Sequence, residues 1–279
     1  DVYNLEYVSD PRISPDGTRI VYVRNFRDVM TDKRHSNLWI INFDGSENRP
    51  LTTGNQNDFA ARWSPDGSRI LYKSNRDGKV QLYLRWMNSG AEAKLTNQPQ
   101  SPGSFQWSPD GKYILFSKFV PGKAGSFASM PERPEGARWN DPPRYIDDMN
   151  YRSDGSGYLR EGHVQLFTLP VEGGTPRQIT HARNDHRGFD WSAYGETVFF
   201  SANLHKDHEY EPRNTEVYAL DLKTLEVQPL TDRPGPDGRP AVSTDGSTIA
   251  YLGYDDQYLG YQQTGICLMN TAGQDKRQV

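Results

Sequence analysis

The chain has 279 residues, with 32 basic and 36 acidic side chains, a formal net charge of -4 at pH 7 and a single cysteine, Cys267. The sequence contains no stripe of basic residues that would bind a nucleic acid backbone. It also contains no run of the roughly 20 apolar residues that cross a bilayer. A single cysteine excludes an intramolecular disulfide and a Cys-x-x-Cys metal site. We therefore expect neither a nucleic acid partner nor a membrane-spanning segment.

A four-residue phrase, Ser-Pro-Asp-Gly, recurs along the chain and marks an internal repeat. Pro fixes φ for the second position of a reverse turn, Asp can accept hydrogen bonds from the turn backbone, and Gly tolerates positive φ. The phrase therefore predicts a hairpin between the β-rich runs on either side of it. A Leu-Thr or Ile-Thr pair follows each of the first four copies. The copies begin at Ser14, Ser64 and Ser108, with degenerate copies at Ser192 and Ser243, and the pairs end at Thr52, Thr96, Thr180 and Thr231.

Each repeat contains four β-rich runs, and its length matches the ~40–45 residues of a four-stranded propeller blade. The sequence therefore predicts an all-β fold, a β-propeller of four-stranded antiparallel blades. Because nothing before residue 10 or after residue 279 resembles a strand that would latch a ring, we expect part of a larger propeller or a homodimer through the open blade edges. The five predicted repeats span residues 10–52, 58–96, 103–180, 185–231 and 237–279.

A tryptophan stands directly before the turn serine in three of the repeats. A large ring at this recurrent position can fill the wedge between neighbouring blades. We therefore expect Trp63, Trp107 and Trp191 to lie in the core.

The third repeat carries an insert at residues 119–163, and long loops on a rigid scaffold often carry function. Pro and Gly predict irregular backbone over residues 121–143, whereas the following segment collects charged and aromatic side chains. Paired carboxylates could hold the α-amine of a peptide, and an arginine could hold a carbonyl or carboxylate. The alternative is a surface hairpin joined by ion pairs. The candidate substrate-binding residues are Arg144, Asp147, Asp148, Tyr151 and Arg152.

Three other clusters carry groups capable of chemistry. Residues 205–211 include two imidazoles and three carboxylates, but not in the spacing of a helical zinc motif, which favours a solvated loop. Asp255 and Asp256 lie among tyrosines that either line a peptide groove or pack a blade loop, and we favour packing. His186 follows Asp185, yet no nucleophile is tied to the two, so we interpret it as a turn residue. The sequence thus predicts no metal, no cofactor and no catalytic residue in this chain.

Two stretches carry a family resemblance: the opening residues, Asp1 to Arg24, and the insert-bearing segment from Pro142 to Thr180. Both resemble the prolyl oligopeptidase family of serine peptidases, in particular its acylaminoacyl-peptidase and dipeptidyl-peptidase types. The resemblance covers essentially the whole chain. The Pro-Asp-Gly repeats alone are less specific, because TolB-like propellers share them.

Members of that family join a propeller to a C-terminal α/β-hydrolase domain with a Ser-Asp-His triad. This chain contains no Gly-x-Ser-x-Gly elbow, so no triad residue is assigned in it. The resemblance therefore implies a non-catalytic propeller that gates and orients peptides for a serine peptidase, with the hydrolase domain absent from this chain. Dipeptidyl peptidases of the family hold the substrate amine with a Glu-Glu pair, which this sequence lacks. Amine binding by Asp147 and Asp148 thus rests on their chemistry and not on a matched motif.

Two other functions stay open. The repeats are compatible with a stand-alone TolB-like propeller that binds a protein or peptide partner. The loops rich in His and carboxylates are compatible with a propeller lyase or a sugar-binding protein. For location, the resemblance is to bacterial envelope enzymes with a cleaved leader, which implies a periplasmic or secreted protein whose leader is absent from this chain.

Overall fold

The structure, a computed structural model, describes residues 2–123, 125, 128, 131–140 and 143–279. Asp1 and Pro142, with which the two stretches of family resemblance begin, lie outside the described residues. So do residues 124, 126, 127, 129, 130 and 141 of the predicted insert. Apart from one turn of 3₁₀ helix, Val2–Asn4, all regular elements in the described ranges are β-strands. No helix in these ranges has the length and apolar character needed to cross a membrane.

The described strands form five four-stranded antiparallel sheets, which we call blades 1 to 5, and each blade contains one copy of the turn phrase. Blade 1 consists of β1 (Tyr7–Ile13), β2 (Arg19–Asp28), β3 (Lys33–Asn42) and β4 (Arg49–Pro50). Blade 2 consists of β5 (Asp58–Trp63), β6 (Arg69–Ser74), β7 (Gln81–Trp86) and β8 (Glu92–Lys94). The structure therefore confirms the predicted fold class, an all-β propeller of four-stranded antiparallel blades.

Blade 3 is interrupted by the insert, which contributes a short hairpin of its own. The chain passes from β9 (Pro102–Trp107) and β10 (Tyr113–Pro121) to the hairpin β11 (Arg152–Ser153) and β12 (Gly157–Tyr158), and returns to the blade as β13 (Gly162–Pro170) and β14 (Arg177–Gln178). Blade 4 consists of β15 (Arg187–Trp191), β16 (Thr197–Ala202), β17 (Glu216–Asp221) and β18 (Val227–Pro229). Blade 5 consists of β19 (Asp237–Val242), β20 (Thr248–Gly253), β21 (Gly265–Asn270) and β22 (Arg277–Gln278).

The turn phrase works through a small network of hydrogen bonds. In blade 1, Asp16 Oδ1 accepts hydrogen bonds from the Ser14 hydroxyl at 2.5 Å and from the backbone N–H of Thr18 at 3.1 Å. Ser14 Oγ in turn accepts from the backbone N–H of Arg19 at 2.9 Å. These bonds, above all that of the Ser14 hydroxyl, lower the pKa of Asp16 to about 2. The network recurs at Asp66, Asp110 and Asp245.

The threonines of the Leu-Thr and Ile-Thr pairs, which we call the closing threonines, join the ends of two strands. In blade 2, Thr96 Oγ1 accepts a hydrogen bond from the backbone N–H of Leu82 at 2.9 Å, and its hydroxyl donates to the buried side chain of Gln81 at 2.7 Å. Each polar atom buried at this junction therefore has a partner, which is why the position selects a hydroxyl. The same arrangement joins Leu166, Thr180 and Gln165 in blade 3.

Four apolar clusters join consecutive blades in series. On β6, the fully buried Ile70 and Tyr72 belong to the cluster shared with blade 1, and Leu71 between them belongs to the cluster shared with blade 3. This alternation follows from strand geometry, and it makes a central blade apolar on both faces. Among the described residues no cluster joins blade 5 to blade 1. Ile13 on the outer face of blade 1 is 58% exposed and Ile266 on that of blade 5 is 51% exposed.

The three tryptophans before the turn serines lie at these blade junctions. Trp107 and Trp191 are buried, as predicted, whereas Trp63 is only half-buried. The indole N–H of Trp63 donates to the carbonyl of Arg12 in blade 1 at 2.9 Å, and that of Trp107 donates to the carbonyl of Arg62 in blade 2 at 3.1 Å. Each of these two rings therefore ties its own blade to the preceding one.

We expect Asp66→Ala to lower the free energy of unfolding by about 1 kcal/mol, because the Ser64 hydroxyl and the Ser68 backbone N–H lose their acceptor. The pKa of Asp66 is lowered from 3.8 to about 2, so its contribution is present above pH 3.8 and is lost as the pH falls through about 2. Urea denaturation measures both effects. Tyr194→Ala is the control, because it changes the matching turn position of blade 4, where no carboxylate stands. An equal loss of stability in that variant would contradict a role for the hydrogen bonds that Asp66 accepts.

Candidate functional site

A cavity of about 1270 Å³ opens where the first strands of blades 3, 4 and 5 begin. These strands end at the Ser-Pro-Asp-Gly turns or their degenerate copies, so the cavity lies at the opposite end of the blades. The chain enters the insert after Phe119 and returns at Val164, both of which line the cavity, so the insert rises from its rim. The wall is rich in hydroxyl side chains, namely Ser101, Ser104, Ser117, Ser201, Thr215 and Thr264.

A β-bulge interrupts the first strand of every blade about four residues before the turn serine, where the ladder register shifts. Bulges redirect side chains and recur beside functional sites. The bulges of blades 3, 4 and 5 lie in the cavity wall. Unrelated residue types occupy the bulge, so the sequence carries no signal of it. The backbone is in the left-handed region at Asp10 (φ 49°), Ala60 (φ 57°), Gly188 (φ 51°) and Arg239 (φ 53°).

Five charged side chains line the cavity, four of them basic and one acidic. Arg187 donates to Asp185 through Nη2 at 2.7 Å, so this pair neutralises itself. Lys73, Lys118 and Arg239 make no ion pair with a carboxylate in the described part of the chain. The cavity therefore has a net positive charge.

The ammonium groups of the two lysines that line the cavity lie against aromatic rings. Lys73 Nζ lies 5.7 Å from the ring centre of Phe105, and Lys118 Nζ lies 4.1 Å from that of Phe167, both within cation–π range. Burial lowers the pKa of Lys73 to about 8, and the positive charge of Arg62 lowers it further in the same direction. Burial also lowers the pKa of Lys118. These are cations kept partly out of water without an acid partner.

The predicted acidic pair of the insert has a third member. Asp147, Asp148 and Glu161 are exposed, and one carboxylate oxygen of each lies within 4.8 Å of the others. Glu161 stands directly before β13, next to the pair Pro121 and Gly162 at which the ladder between β10 and β13 ends. Sequence adjacency indicated only the acidic pair, and no spacing in the sequence relates Glu161 to it.

The remaining candidates of the insert lie on or beside its hairpin. Arg152 on β11 pairs with Tyr158 on β12, as expected for a hairpin. The guanidinium of Arg144 lies 4.2 Å from the ring centre of Tyr158, and Tyr151 packs beside the same ring with centres 6.2 Å apart. The contacts of these residues within the described ranges are with aromatic rings, and the alternative of a surface hairpin joined by ion pairs stays a prediction.

Neighbouring loops meet the insert at the same end of the blades. The backbone N–H of Met149 donates to Glu209 Oε2 at 3.2 Å, and the Tyr258 hydroxyl donates to Glu211 Oε1 at 3.2 Å. Tyr258 and Tyr261 are exposed, so the prediction that these tyrosines pack a blade loop is wrong for them. The insert, the loop after β16 and the loop after β20 thus form one polar face.

Histidines in this region have structural partners. His205 Nε2 lies 3.2 Å from Glu216 Oε1, at the blade 4 position that a glutamine fills in blades 2 and 3. Burial raises the pKa of Glu216, against the hydrogen bonds of Thr231 and His205. His186 lies in the connection that precedes β15, where its side chain is buried and packs on the ring of Phe200 with centres 5.1 Å apart. Residues 205–211 do not gather three metal-binding groups in the structure as described.

Comparison with known proteins places the chain among propellers of two kinds. Residues 2–136 match the family described as TolB beta propeller domain. A protein of Bacillus subtilis named uncharacterized peptidase YuxL is 32% identical over 205 residues, which are 73% of this chain and 31% of that protein. Dipeptidyl-peptidase 5 of Porphyromonas gingivalis is 41% identical over 78 residues, which are 28% of this chain and 11% of that enzyme. The chain therefore spans well under two thirds of these relatives.

Solved structures show the same fold. Acylaminoacyl peptidase of Pyrococcus horikoshii superposes with a TM-score of 0.72 at 17% identity, over 99% of this chain and 40% of that one. TolB of Acinetobacter baumannii superposes with a TM-score of 0.55 at 14% identity, over 98% of this chain and 68% of that one. Both support the propeller architecture.

We expect Lys73→Met to raise the free energy of unfolding by about 2 kcal/mol at pH 7, because the fold no longer holds a cation away from water. The pKa of Lys73 lies near 8 in the fold and at 10.5 ordinarily, so the unfolded chain binds this proton more tightly. The gain should shrink as the pH rises from 8 towards 10.5. Urea denaturation at pH 7 and above pH 8 measures it. The exposed Lys33→Met serves as control, and a gain independent of pH would refute the explanation.

Proposed function

We propose that this chain, a β-propeller related both to TolB and to the prolyl oligopeptidase family, is the non-catalytic part of a serine peptidase. It gates and orients oligopeptides for cleavage of the acylaminoacyl or dipeptidyl type by a hydrolase domain outside this chain. The observation that carries the proposal is the 32% identity over 205 residues with a protein named as a peptidase. Those residues are 31% of that relative, which leaves ample length for a catalytic domain.

The cavity supports a substrate-orienting role through its size and its wall. Its volume of about 1270 Å³ exceeds the roughly 300–1,000 Å³ of small-molecule pockets, and a short peptide fits such a space. Hydroxyl groups and bare backbone in the wall offer hydrogen bonds to a peptide main chain. The insert at the rim adds three exposed carboxylates, from Asp147, Asp148 and Glu161, that suit a peptide amine.

A second candidate is a stand-alone TolB-like propeller that binds a protein or peptide partner. It is favoured by the match of residues 2–136 to the TolB propeller family and by the 68% coverage of the Acinetobacter TolB structure. Stable monomeric behaviour of the chain would also favour this alternative. Both candidates fit a periplasmic or secreted protein, which we propose as its location.

Reading the encoding gene beyond the codon for Val279 separates the two candidates. A frame that continues into a strand, a Gly-x-Ser-x-Gly elbow and a helix supports the peptidase. A stop codon directly after Val279 would rule it out. As a second arm, the isolated chain should not hydrolyse acyl-peptide or dipeptidyl chromogenic substrates, and measurable turnover would contradict a non-catalytic role.

The acidic cluster predicts a selective loss in the complete gene product. Joint Asp147→Asn and Asp148→Asn changes should lower kcat/KM by about tenfold for substrates with a free α-amine, because a charge-assisted hydrogen bond is lost. Substrates acetylated at the amine should be cleaved as before. Asp154→Asn alters an exposed acid of the same hairpin and should have no effect. An equal loss for both substrate types would speak against amine binding.

A further inference from the structure

We infer that the cavity binds a carboxylate of a peptide, with Lys73, Lys118 and Arg239 as the cations that hold it. The inference rests on the proposed function, since it takes the occupant of the cavity to be a peptide. It adds the chemical group that is recognised and the residues that recognise it.

The cavity carries positive charge that the described residues do not balance. Of its four bases, only Arg187 has an acidic partner, Asp185, at 2.7 Å. Arg62, whose positive charge acts on Lys73, is bound to Asp10 at 2.8 Å. The two lysines of the cavity are partly buried without a carboxylate partner among the described residues, and holding an unpaired cation away from water costs free energy. An anion in the cavity would remove this cost.

Three separate blades supply the cations and fix them. Lys73 extends from β6 of blade 2 and lies against the ring of Phe105. Lys118 extends from β10 of blade 3, where its Nζ donates to Gln98 Oε1 at 2.8 Å and lies over the ring of Phe167. These contacts restrict both ammonium groups before any ligand arrives, which reduces the entropy lost on binding.

Arg239 owes its position to the bulge of blade 5. Its φ of 53° lies in the left-handed region, which is unfavourable for a residue other than glycine. Its backbone N–H donates to Ser201 Oγ of blade 4 at 3.4 Å, which ties the bulge to the neighbouring wall. The bulge recurs in every blade, with positive φ also at Asp10 and Ala60 away from the cavity, and in blade 5 it places an arginine in the cavity wall. The fork of an arginine also matches a carboxylate with two parallel hydrogen bonds.

The wall favours a peptide over a free inorganic anion. Gly103, Gly188 and Gly238 line the cavity with bare backbone. A Cβ at Gly103 would come within 2.4 Å of Ser117 Oγ, and one at Gly188 within 2.8 Å of Ser201 Oγ, so side chains are excluded there. Bare strand backbone and hydroxyl groups bind an extended main chain well. The volume of about 1270 Å³ is far larger than a single small anion needs.

The rim carries the opposite charge. The exposed carboxylates of Asp147, Asp148 and Glu161 lie in the insert that rises from the cavity. A short peptide bears an amine at one end and a carboxylate at the other. Acid at the rim and base in the cavity are therefore complementary to a peptide with both ends free.

Titration calorimetry of the chain at low salt tests the inference with three acetylated tetrapeptides: tetra-alanine as the free acid, its C-terminal amide, and an amide with one internal glutamate. The free acid should bind about tenfold more tightly than the amide. Lys73→Gln and Lys118→Gln should each remove most of that preference and leave amide binding unchanged. Lys33→Gln, an exposed lysine of β3, should leave both unchanged. The glutamate peptide reports whether a side-chain carboxylate serves as well as the terminal one.

Each of three other outcomes would contradict the inference of a peptide carboxylate site. Equal binding of the acid and the amide would overturn the carboxylate site and leave peptide binding, and with it the proposed function, intact. Tight binding of the acid that acetate displaces at equal concentration would reduce the cavity to a simple anion site. Absence of binding by all three peptides would overturn both the inference and peptide binding by this chain. Melting temperatures of the variants confirm that they are folded.

Discussion

Burial on both faces of the blades is the constraint on which the rest of this structure depends. In blade 3, Ile114 and Phe116 pack towards blade 2, and Leu115 between them packs towards blade 4; all three are fully buried. Each such side chain contributes about 1.5–3 kcal/mol when it leaves water. A central blade therefore needs an apolar neighbour on each side. The turn aspartates, the closing threonines and the cavity lie at the ends of the strands.

The candidate site follows from the same constraint. With both faces of each central blade occupied by apolar contacts, the strand ends are where polar side chains can gather around a cavity. The cavity lies where three first strands begin, and bulges there open the wall and redirect side chains. The insert enlarges the same end of blade 3. Basic groups inside and acidic groups at the rim are thus placed on one polar face by the architecture and not by proximity in sequence.

The parts of this structure that could be predicted are those with local causes. The Ser-Pro-Asp-Gly turn depends on hydrogen bonds within five residues, so its recurrence in sequence revealed the blades. Asp147 and Asp148 are adjacent and were recognised as a candidate pair. Lys73 of blade 2 and Arg239 of blade 5 line one cavity only after four consecutive blades have packed, and no spacing in the sequence indicates this. The bulges could not be predicted because strand register, which short motifs do not encode, decides where they lie. Glu161 lies far from Asp147 and Asp148 in sequence and joins them only in the folded chain.

The four apolar clusters in series make the chain a one-dimensional system. Each blade interacts with its neighbours along the chain, so stability is close to a sum of blade terms and nearest-neighbour terms. In this chain the outermost blades have one such neighbour and the three central blades have two. Amide hydrogens should therefore exchange fastest in blades 1 and 5 and slowest in blade 3, and opening should proceed from the ends inwards. The cavity, built from blades 2 to 5, draws part of its wall from the fraying end.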